Sequence, residues 1–417
     1  MTATSQPPAL ACRFCGTPLR TTFVDLGLTP LCQTHIAPSQ LNEGEPFYPL
    51  HARVCEGCFL VQLQHVVQPG AIFGEYAYFS SYASSWVEHA RRFSKMAIER
   101  FGLHAQSRVI EVASNDGYLL QHFMAAGVPV LGIEPAANVA RAAIDRVVPT
   151  VVEFLGQQTG RALAQAYGPA DLVVGNNVLA HVPDINDFVT GLRELLAPGG
   201  VVTMEFPHLQ RLIEGHQFDT IYHEHFSYLS FSTVEQIFAA HGLVLFDVEE
   251  LKTHGGSLRI YARHAAQEAL LVREAVTALR EREQALGYRC LERYRGFEQK
   301  VQETKRQLLT FLIRARGLGQ RIAGYGAPGK GNTLLNYCGI RTDLLEFTVD
   351  ANPYKQGKYT PGTRIPILAP EALRREKPDL VLILPWNLRE EIMAQASYIR
   401  EWGGRFVVPI PHVQVFE

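Results

Sequence analysis

Beginning near Ser107, the chain repeats strand, loop and helix, a rhythm that leaves few folds open. Arg108–Ala113 is a β-branched run that meets Ser114-Asn115-Asp116-Gly117, with a helix expected from about Tyr118. Val130–Glu134 reads as a second strand, ending in an acid, and Asp171–Gly175 as a third, followed by Asn176-Asn177-Val178-Leu179-Ala180-His181-Val182. Leu196-Ala197-Pro198-Gly199-Gly200 closes a helix with a turn and introduces the next strand, Val201–Phe206. Strands alternating with helices predict a parallel, doubly wound α/β sheet. Such sheets hold ligands beyond the carboxyl ends of their strands.

The first loop is not the dinucleotide fingerprint, because it lacks the glycines that let a backbone approach a pyrophosphate. It is followed by Glu134, placed where a ribose diol would sit. Ribose without phosphate fits S-adenosylmethionine.

At 417 residues the chain is too long for one ordinary core, so two to three domains are expected. The predicted divisions are a small cysteine-bearing module at 1–70, the doubly wound domain suited to S-adenosylmethionine at 71–264, bridging helices at 265–318 and a C-terminal α/β domain at 319–417. A net charge of -2 speaks against a general nucleic-acid binder. No apolar run reaches the length of a membrane span. The first residues lack the charged and apolar regions of a signal peptide, so a cytoplasmic location is expected, with cysteines as thiols or metal ligands.

Four of the seven cysteines form two pairs, Cys12-x-x-Cys15 and Cys55-x-x-Cys58. Gly16 and Gly57 are expected to let the backbone turn its amides toward the sulfurs. Four thiolates suit a closed structural zinc site and leave no open position for catalysis. Cys32 stands alone and reads as a buried thiol. A zinc-ribbon nucleic-acid reader is the interaction-class alternative, which the segment is not basic enough to favour. The stretch Phe73–Tyr82 is aromatic and hydroxyl-rich, suited to linker packing or to lining a pocket. If extended, it puts Tyr76 and Tyr78 on one side.

Asp219-Thr220-Ile221-Tyr222-His223-Glu224-His225-Phe226 concentrates acid/base groups beyond the strand Val201–Phe206. His223 and His225 are two apart and would not share a helix face, so the segment reads as proton-transfer equipment and not as a metal cage. Thr253-His254-Gly255-Gly256-Ser257 follows a later strand. Its glycines suit either an ordinary turn or close approach to the site.

From Ala265 to Arg316 the chain is charged, with Tyr294, Phe297, Val301, Leu308, Leu312 and Ala315 at helical spacing. Packing stripes on bridging helices are expected, a dimer coiled coil being the alternative; the chain is a monomer or a homodimer. Arg321–Lys330 then opens a second α/β domain. Gly324-x-Gly326-x-x-Gly329 with Asp350 matches the dinucleotide fingerprint, the best case for an NAD-dependent oxidoreductase. The near-match to a P-loop fails at Gly331, where a magnesium-binding hydroxyl is needed. A third reading is a phosphate cradle using the Gly326–Gly331 amides and Lys330, and a purely structural tight turn is the fourth. Asn387 follows the strand ending at Leu384, where it could cap a helix or touch a ligand.

Taken in order, these motifs resemble the nucleotide-sugar C-methyltransferases, the group that includes deoxysugar 3-C-methyltransferases. The resemblance covers nearly the whole chain. It implies S-adenosylmethionine as cofactor and a sugar nucleotide, expected to be dTDP-linked, whose 4-keto group neighbours the accepting carbon. It implies zinc at Cys12, Cys15, Cys55 and Cys58, and cofactor contacts from Glu111, Ala113, Asn115, Gly117, Glu134, Phe154 and Asn176. Ala113 departs from the glycine common in the family and could crowd the cofactor. Tyr76, Asn177, His181, Tyr222, Glu224 and His225 would face the sugar. Tyr78, Gly326, Lys330, Asn332 and Asn387 complete the expected substrate contacts. A histidine is a reasonable base for a carbon beside a ketone at neutral pH, and His225 is assigned that role. Glu224 would orient it or bind a hydroxyl, Tyr222 or Tyr76 would serve the enolate oxygen, and His181 would shape the pocket or share the chemistry. O- or N-methylation of a related sugar nucleotide and a non-catalytic zinc-containing interaction protein are the alternatives.

Overall fold

The computed structural model describes residues 10–64, 67 and 79–417. The chain opens with a tight turn in which the Cys12 amide donates to Thr17 O at 2.8 Å and the Gly16 amide to Cys12 O at 2.9 Å. Gly16 adopts φ +74° there, a left-handed position that glycine fills without a Cβ clash. Strands β1 (Thr21–Thr29), β2 (Tyr48–Val54) and β3 (Val61–Leu63) follow as an antiparallel meander. The second cysteine pair makes the turn from β2 to β3. The left-handed residue of that turn is Phe59, φ +62°, and not Gly57. Gly57 is needed for space, since a Cβ would lie 2.8 Å from Thr17 Oγ1 of the other turn.

The central body contributes β4 (Val109–Val112), β5 (Val130–Ile133), β6 (Thr150–Val151), β7 (Ala170–Asn176) and β8 (Leu196–Pro207), with helices between them. Of these helices, Ile185–Leu195 starts at Asp184, whose carboxylate accepts the Asn186 and Asp187 amides. The short β9 (Ser227–Tyr228) pairs with β3 and ties the body to the N-terminal sheet. Next come β10 (Leu243–Leu251) and β11 (Ser257–His264). The seven strands run β10-β11-β8-β7-β4-β5-β6. The β8-to-β6 portion is parallel, as the alternating pattern predicts, while β10 and β11 enter antiparallel. The connection between β10 and β11 is only a tight turn, and a parallel crossover needs a dozen residues or more.

Bridging helices Glu274–Ala285 and Phe297–Gly317 come next. The stripe of Tyr294, Phe297, Val301, Leu308, Leu312 and Ala315 is buried within the chain. Phe297 stacks on Phe23 of β1 with ring centroids 4.4 Å apart, so this face packs internally and offers no seam to a coiled-coil partner. Buried Glu283 accepts His208 Nε2 at 2.7 Å and the Phe231 and Ser232 amides at 2.8 Å each, fixing the first helix to the central body.

The last sheet contains β12 (Ile322–Tyr325), β13 (Thr348–Val349), β14 (Ile367–Leu368), β15 (Leu380–Ile383), β16 (Arg405–Val408) and β17 (Gln414–Phe416), in the order β14-β13-β12-β15-β16-β17. It is parallel except for β17. The segment between β1 and β2 clamps this sheet. Ile36 and Tyr359 exchange backbone bonds of 2.9 Å, Glu45 accepts the Gly362 amide, and the Arg364 guanidinium meets Leu41 O. One apolar core runs from β1–β3 through Phe297–Gly317 to β12 and β15. Among the described residues no helix is long and apolar enough to cross a membrane.

Candidate active site and metal centre

A cavity of about 700 Å³ opens beyond the carboxyl ends of β4, β5 and β7 and continues to the N-terminus of the helix Gly329–Cys338. Its size lies within the range of small-molecule sites.

At one end stands the loop after β4. Ala113, Asn115 and Gly117 all take positive φ, at +55°, +49° and +78°. Asn115 is fixed at both ends: its Oδ1 accepts the Ser80 amide at 2.8 Å, and its own amide donates to Glu134 Oε2 at 2.9 Å. The other Glu134 oxygen accepts the Ala136 amide at 2.9 Å, so the carboxylate joins two successive loops. Burial raises the Glu134 carboxyl above its usual range. Beneath it Glu111 is wholly enclosed, and burial, reinforced by Glu134, raises it well above that range. Ala113, Asn115, Glu134, Phe154 and Asn176 line the cavity, whereas Glu111 and Gly117, expected as cofactor contacts, do not. A Cβ at Gly117 would lie 2.8 Å from Val148, so that glycine serves packing. Trp86 and Tyr118, which no local pattern singled out, complete this end, with ring centroids 6.1 Å apart.

At the other end are Tyr222, Glu224 and His225, with His181 from the loop after β7. The His225 Nδ1–H donates to Thr220 O at 2.8 Å, since a carbonyl can only accept. That bond leaves Nε2 unprotonated in the neutral ring. Tyr222 lies against His225 at 4.0 Å and His181 meets it edge-on at 4.7 Å. Burial, then the neighbouring His181, pushes His225 well below the usual imidazole range, so it is neutral at physiological pH. Burial likewise lowers His181 to about 4. Buried Cys32 comes 3.5 Å from Glu224 Oε1, far from the other cysteines' cluster. His223 faces the opposite way, bonded to Pro49 O at 3.1 Å. Tyr76 and Tyr78 lie outside the described residues.

The C-terminal sheet adds Pro328, Gly329, Lys330 and Lys355 to the wall. The Lys330 ammonium donates to Asn387 Oδ1 at 2.8 Å and lies 4.7 Å from the centre of the Trp386 ring. Trp386 Nε1 donates to Asp219 Oδ2 at 2.7 Å. Burial raises Asp219 to about 6 against the pull of Lys330. Asn332 turns away from the cavity and donates to Cys32 O at 2.6 Å.

The Gly324 loop does not form a dinucleotide cradle. Asp350 Oδ2 accepts the Ala327 amide at 2.7 Å and pairs with Lys355 at 3.4 Å, so it closes its own loop where a ribose would bind. Cβ atoms at Gly324, Gly326 and Gly331 would meet Thr348, Pro385 and Leu384 at 2.6, 2.6 and 2.9 Å. These glycines accommodate protein, not pyrophosphate.

The Cys12, Cys15, Cys55 and Cys58 sulfurs all lie within 4.8 Å of one another, with two edges of 3.5 Å. A tetrahedral zinc–thiolate site has sulfur–sulfur edges of about 3.8 Å. The four thiols therefore fit a zinc ion. Gln62 Nε2 points at Cys12 Sγ at 3.1 Å and the Gly57 amide at Cys55 Sγ at 3.4 Å, donors that stabilise thiolate charge.

Three family models match in succession: a domain described as zinc-binding over residues 12–73, a methyltransferase domain over 86–248 and a C-methyltransferase C-terminal domain over 252–411. The C-methyltransferase NovU of Streptomyces niveus is 38% identical over 98% of this chain and 97% of its own length. An uncharacterised methyltransferase of Mycobacterium leprae is 31% identical over 24% of this chain and 36% of its own. Among solved structures, an S-adenosylmethionine-dependent methyltransferase of Clostridium acetobutylicum has a TM-score of 0.36 at 9% identity, over 43% of this chain and 92% of its own. A Pyrococcus horikoshii protein has a TM-score of 0.38 at 14% identity, over 48% and 96%. Since the NovU match spans both chains almost completely and the three models tile this one, the chain belongs to the C-methyltransferase family that joins a zinc-binding domain, an S-adenosylmethionine-dependent methyltransferase domain and a C-methyltransferase C-terminal domain.

Proposed function

We propose that the enzyme methylates a carbon of a nucleotide-linked 4-keto deoxysugar, expected to be dTDP-linked. The observation that carries this reading is the shared cavity: His225 with a bare Nε2 and the Lys330 and Lys355 ammoniums open onto the same space as the loops after β4 and β5. A carbon acid needs a base, an oxyanion partner and an electrophile held in line. A sugar nucleotide also needs cations for its pyrophosphate.

When bound, S-adenosylmethionine supplies an electrophilic methyl group. Ala113, Asn115, Glu134, Phe154 and Asn176 would hold it, and Glu134 would accept from its ribose hydroxyls. His225 Nε2 takes the proton from the carbon beside the ketone, and the electron pair moves onto the ketone oxygen. Tyr222, held neutral by burial, donates a hydrogen bond to that oxygen. Thr220 O keeps the imidazole oriented and favours the cation that forms. His181 packs the ring in place, and Glu224 serves a sugar hydroxyl. Lys330, steadied by Asn387, and Lys355 face the pyrophosphate beside the helix N-terminus at Gly329.

The test is calorimetry with S-adenosylhomocysteine and, separately, NAD, followed by incubation with 4-keto sugar nucleotides and S-adenosylmethionine. Micromolar S-adenosylhomocysteine binding and a gain of one methyl mass on carbon are expected. Binding without methylation of any 4-keto sugar nucleotide would overturn the substrate, and methylation on oxygen or nitrogen would overturn the chemistry.

A further inference from the structure

The turn between β10 and β11 has features that a plain turn does not need. His254, Gly255 and Gly256 adopt φ of +53°, +89° and +119° in succession. A histidine is costly at such a φ, and strain of this kind persists where surrounding structure enforces it. Here the enforcement is visible. Thr253 Oγ1 donates to Glu205 Oε1 at 2.8 Å. Glu205 is wholly buried; burial opposes its charge, but His89 and Arg259 outweigh it and hold the carboxyl at about 2. Gly255 admits Trp386, since a Cβ there would lie 2.5 Å from that ring. The turn is thus anchored to the central sheet on one side and to the C-terminal domain on the other.

What this anchoring delivers is the His254 ring, on the cavity wall. It meets Trp86 edge-on at 5.3 Å and its Nε2 lies 3.2 Å from Asn177 Nδ2. Asn177 is itself left-handed, at φ +55°. Asn177 Oδ1 is buried and has no partner among the described residues. Burial, then Lys330, lowers His254 to about 4, so the ring is neutral. With Nε2 accepting from Asn177, the neutral ring carries its proton on Nδ1. The ring on the cavity wall therefore retains a donor, His254 Nδ1–H.

Position along the sheet edge tells which ligand they meet. The cofactor groups lie at the ends of β4, β5 and β7. The turn lies past β8, the next strand in the sheet, where Ser257 of β11 pairs with Pro207 of β8. We infer that His254, paired with Asn177, is a substrate-binding residue that takes a hydroxyl of the acceptor sugar at the β8–β11 edge of the cavity. This rests on the sugar-nucleotide reading above. The hydroxyl accepts from His254 Nδ1–H, while Asn177 holds the ring through Nε2.

The experiment compares wild type, His254→Asn and His254→Gly in full-length enzyme. Both replacements tolerate the left-handed backbone. Readouts are Tm, calorimetric S-adenosylhomocysteine affinity, and kcat and KM for a 4-keto sugar nucleotide. Losing a substrate hydrogen bond predicts a fall in kcat/KM of about tenfold in the glycine variant, concentrated in KM. A smaller loss is expected in the asparagine variant, which keeps an N–H donor, with Tm and S-adenosylhomocysteine affinity unchanged. Unaltered KM and kcat in the glycine variant would refute the contact. So would equal falls in Tm and S-adenosylhomocysteine affinity, which mark a structural role. Failure of the wild type to methylate any 4-keto sugar nucleotide would refute the underlying reading and this acceptor with it, an outcome distinct from normal wild-type turnover with a silent His254.

Discussion

Replacing His225 by Asn tests the proposed base separately from its scaffold. The Asn Nδ2 occupies the position of the histidine Nδ1, so the 2.8 Å bond to Thr220 O can persist while Nε2 is lost. General-base catalysis is worth about 10²- to 10⁴-fold, or roughly 3–5 kcal/mol of barrier. The variant also loses ring contacts with Tyr222 at 4.0 Å and His181 at 4.7 Å. Aromatic pairs are worth about 0.5–1.5 kcal/mol each, so a moderate drop in Tm is expected as well. The assay is a partial reaction. In D₂O with S-adenosylhomocysteine bound, wild-type enzyme should exchange the proton beside the ketone for deuterium, followed by mass spectrometry. His225→Asn should lose this exchange and methyl transfer together, by at least a hundredfold, while binding S-adenosylhomocysteine normally. Because burial lowers His225, the acid limb of wild-type kcat/KM should lie below the ordinary imidazole pKa of about 6.5. Exchange in the variant within tenfold of wild type would remove His225 as the base, whatever happened to turnover.

Zinc removal by a strong chelator should lower Tm and release one metal ion per chain by atomic absorption, because the β1–β3 sheet shares its core with the bridging helix and the C-terminal sheet. Cys55→Ser should reproduce the effect without chelator. Ala113→Gly should remove left-handed strain of about 1–2 kcal/mol against an entropic cost of about 0.5–1 kcal/mol; Tm should hold or rise slightly, and S-adenosylhomocysteine should bind at least as tightly if the methyl crowds the cofactor. Asp219 has a folded pKa raised to about 6, so its contribution to stability is complete below the unfolded value of about 3.8 and is lost as pH rises through 6. Asp219→Asn should therefore gain stability relative to wild type as pH rises from 4 to 7 in thermal melts; a pH-independent difference would show that Lys330 neutralises the carboxylate fully.

The parts of the fold legible in the sequence are those whose signal is local. The run Arg108–Ala113, the acid at Glu134 and the Asn176–Asn177 pair are written within single strand–loop units, and the structure places Ala113, Asn115, Glu134 and Asn176 around one space. The cysteine spacing likewise brings four sulfurs together, because each pair fits a single tight turn. The antiparallel entry of β10 and β11 was not legible, because a hydrophobic strand reads alike in either direction. Gly57 and Phe59 show a finer limit. Spacing suggests that the glycine supplies the turn, whereas packing against Thr17 reserves Gly57 for space and leaves the left-handed angle to Phe59.

The Gly324 loop shows why a motif alone misleads. Its spacing and the acid at Asp350 reproduce a nucleotide fingerprint, yet each feature has an internal use: Thr348, Pro385 and Leu384 fill the space beside the glycines, and Ala327 and Lys355 occupy Asp350. A β-strand entering a helix needs small residues wherever neighbouring strands come close, whether or not a ligand follows. The end of the cavity around His225 poses the opposite problem. Asn177, His225, His254, Lys330 and Lys355 all line the cavity but share no local pattern, because each arrives from a different segment. Their convergence depends on the β3–β9 pairing, the Ile36–Tyr359 bridge and the Trp386–Asp219 bond, contacts separated by more than a hundred residues in the chain. A cavity end built on one sheet edge can be read from strand ends, whereas an end formed between three sheets becomes visible only when they are docked.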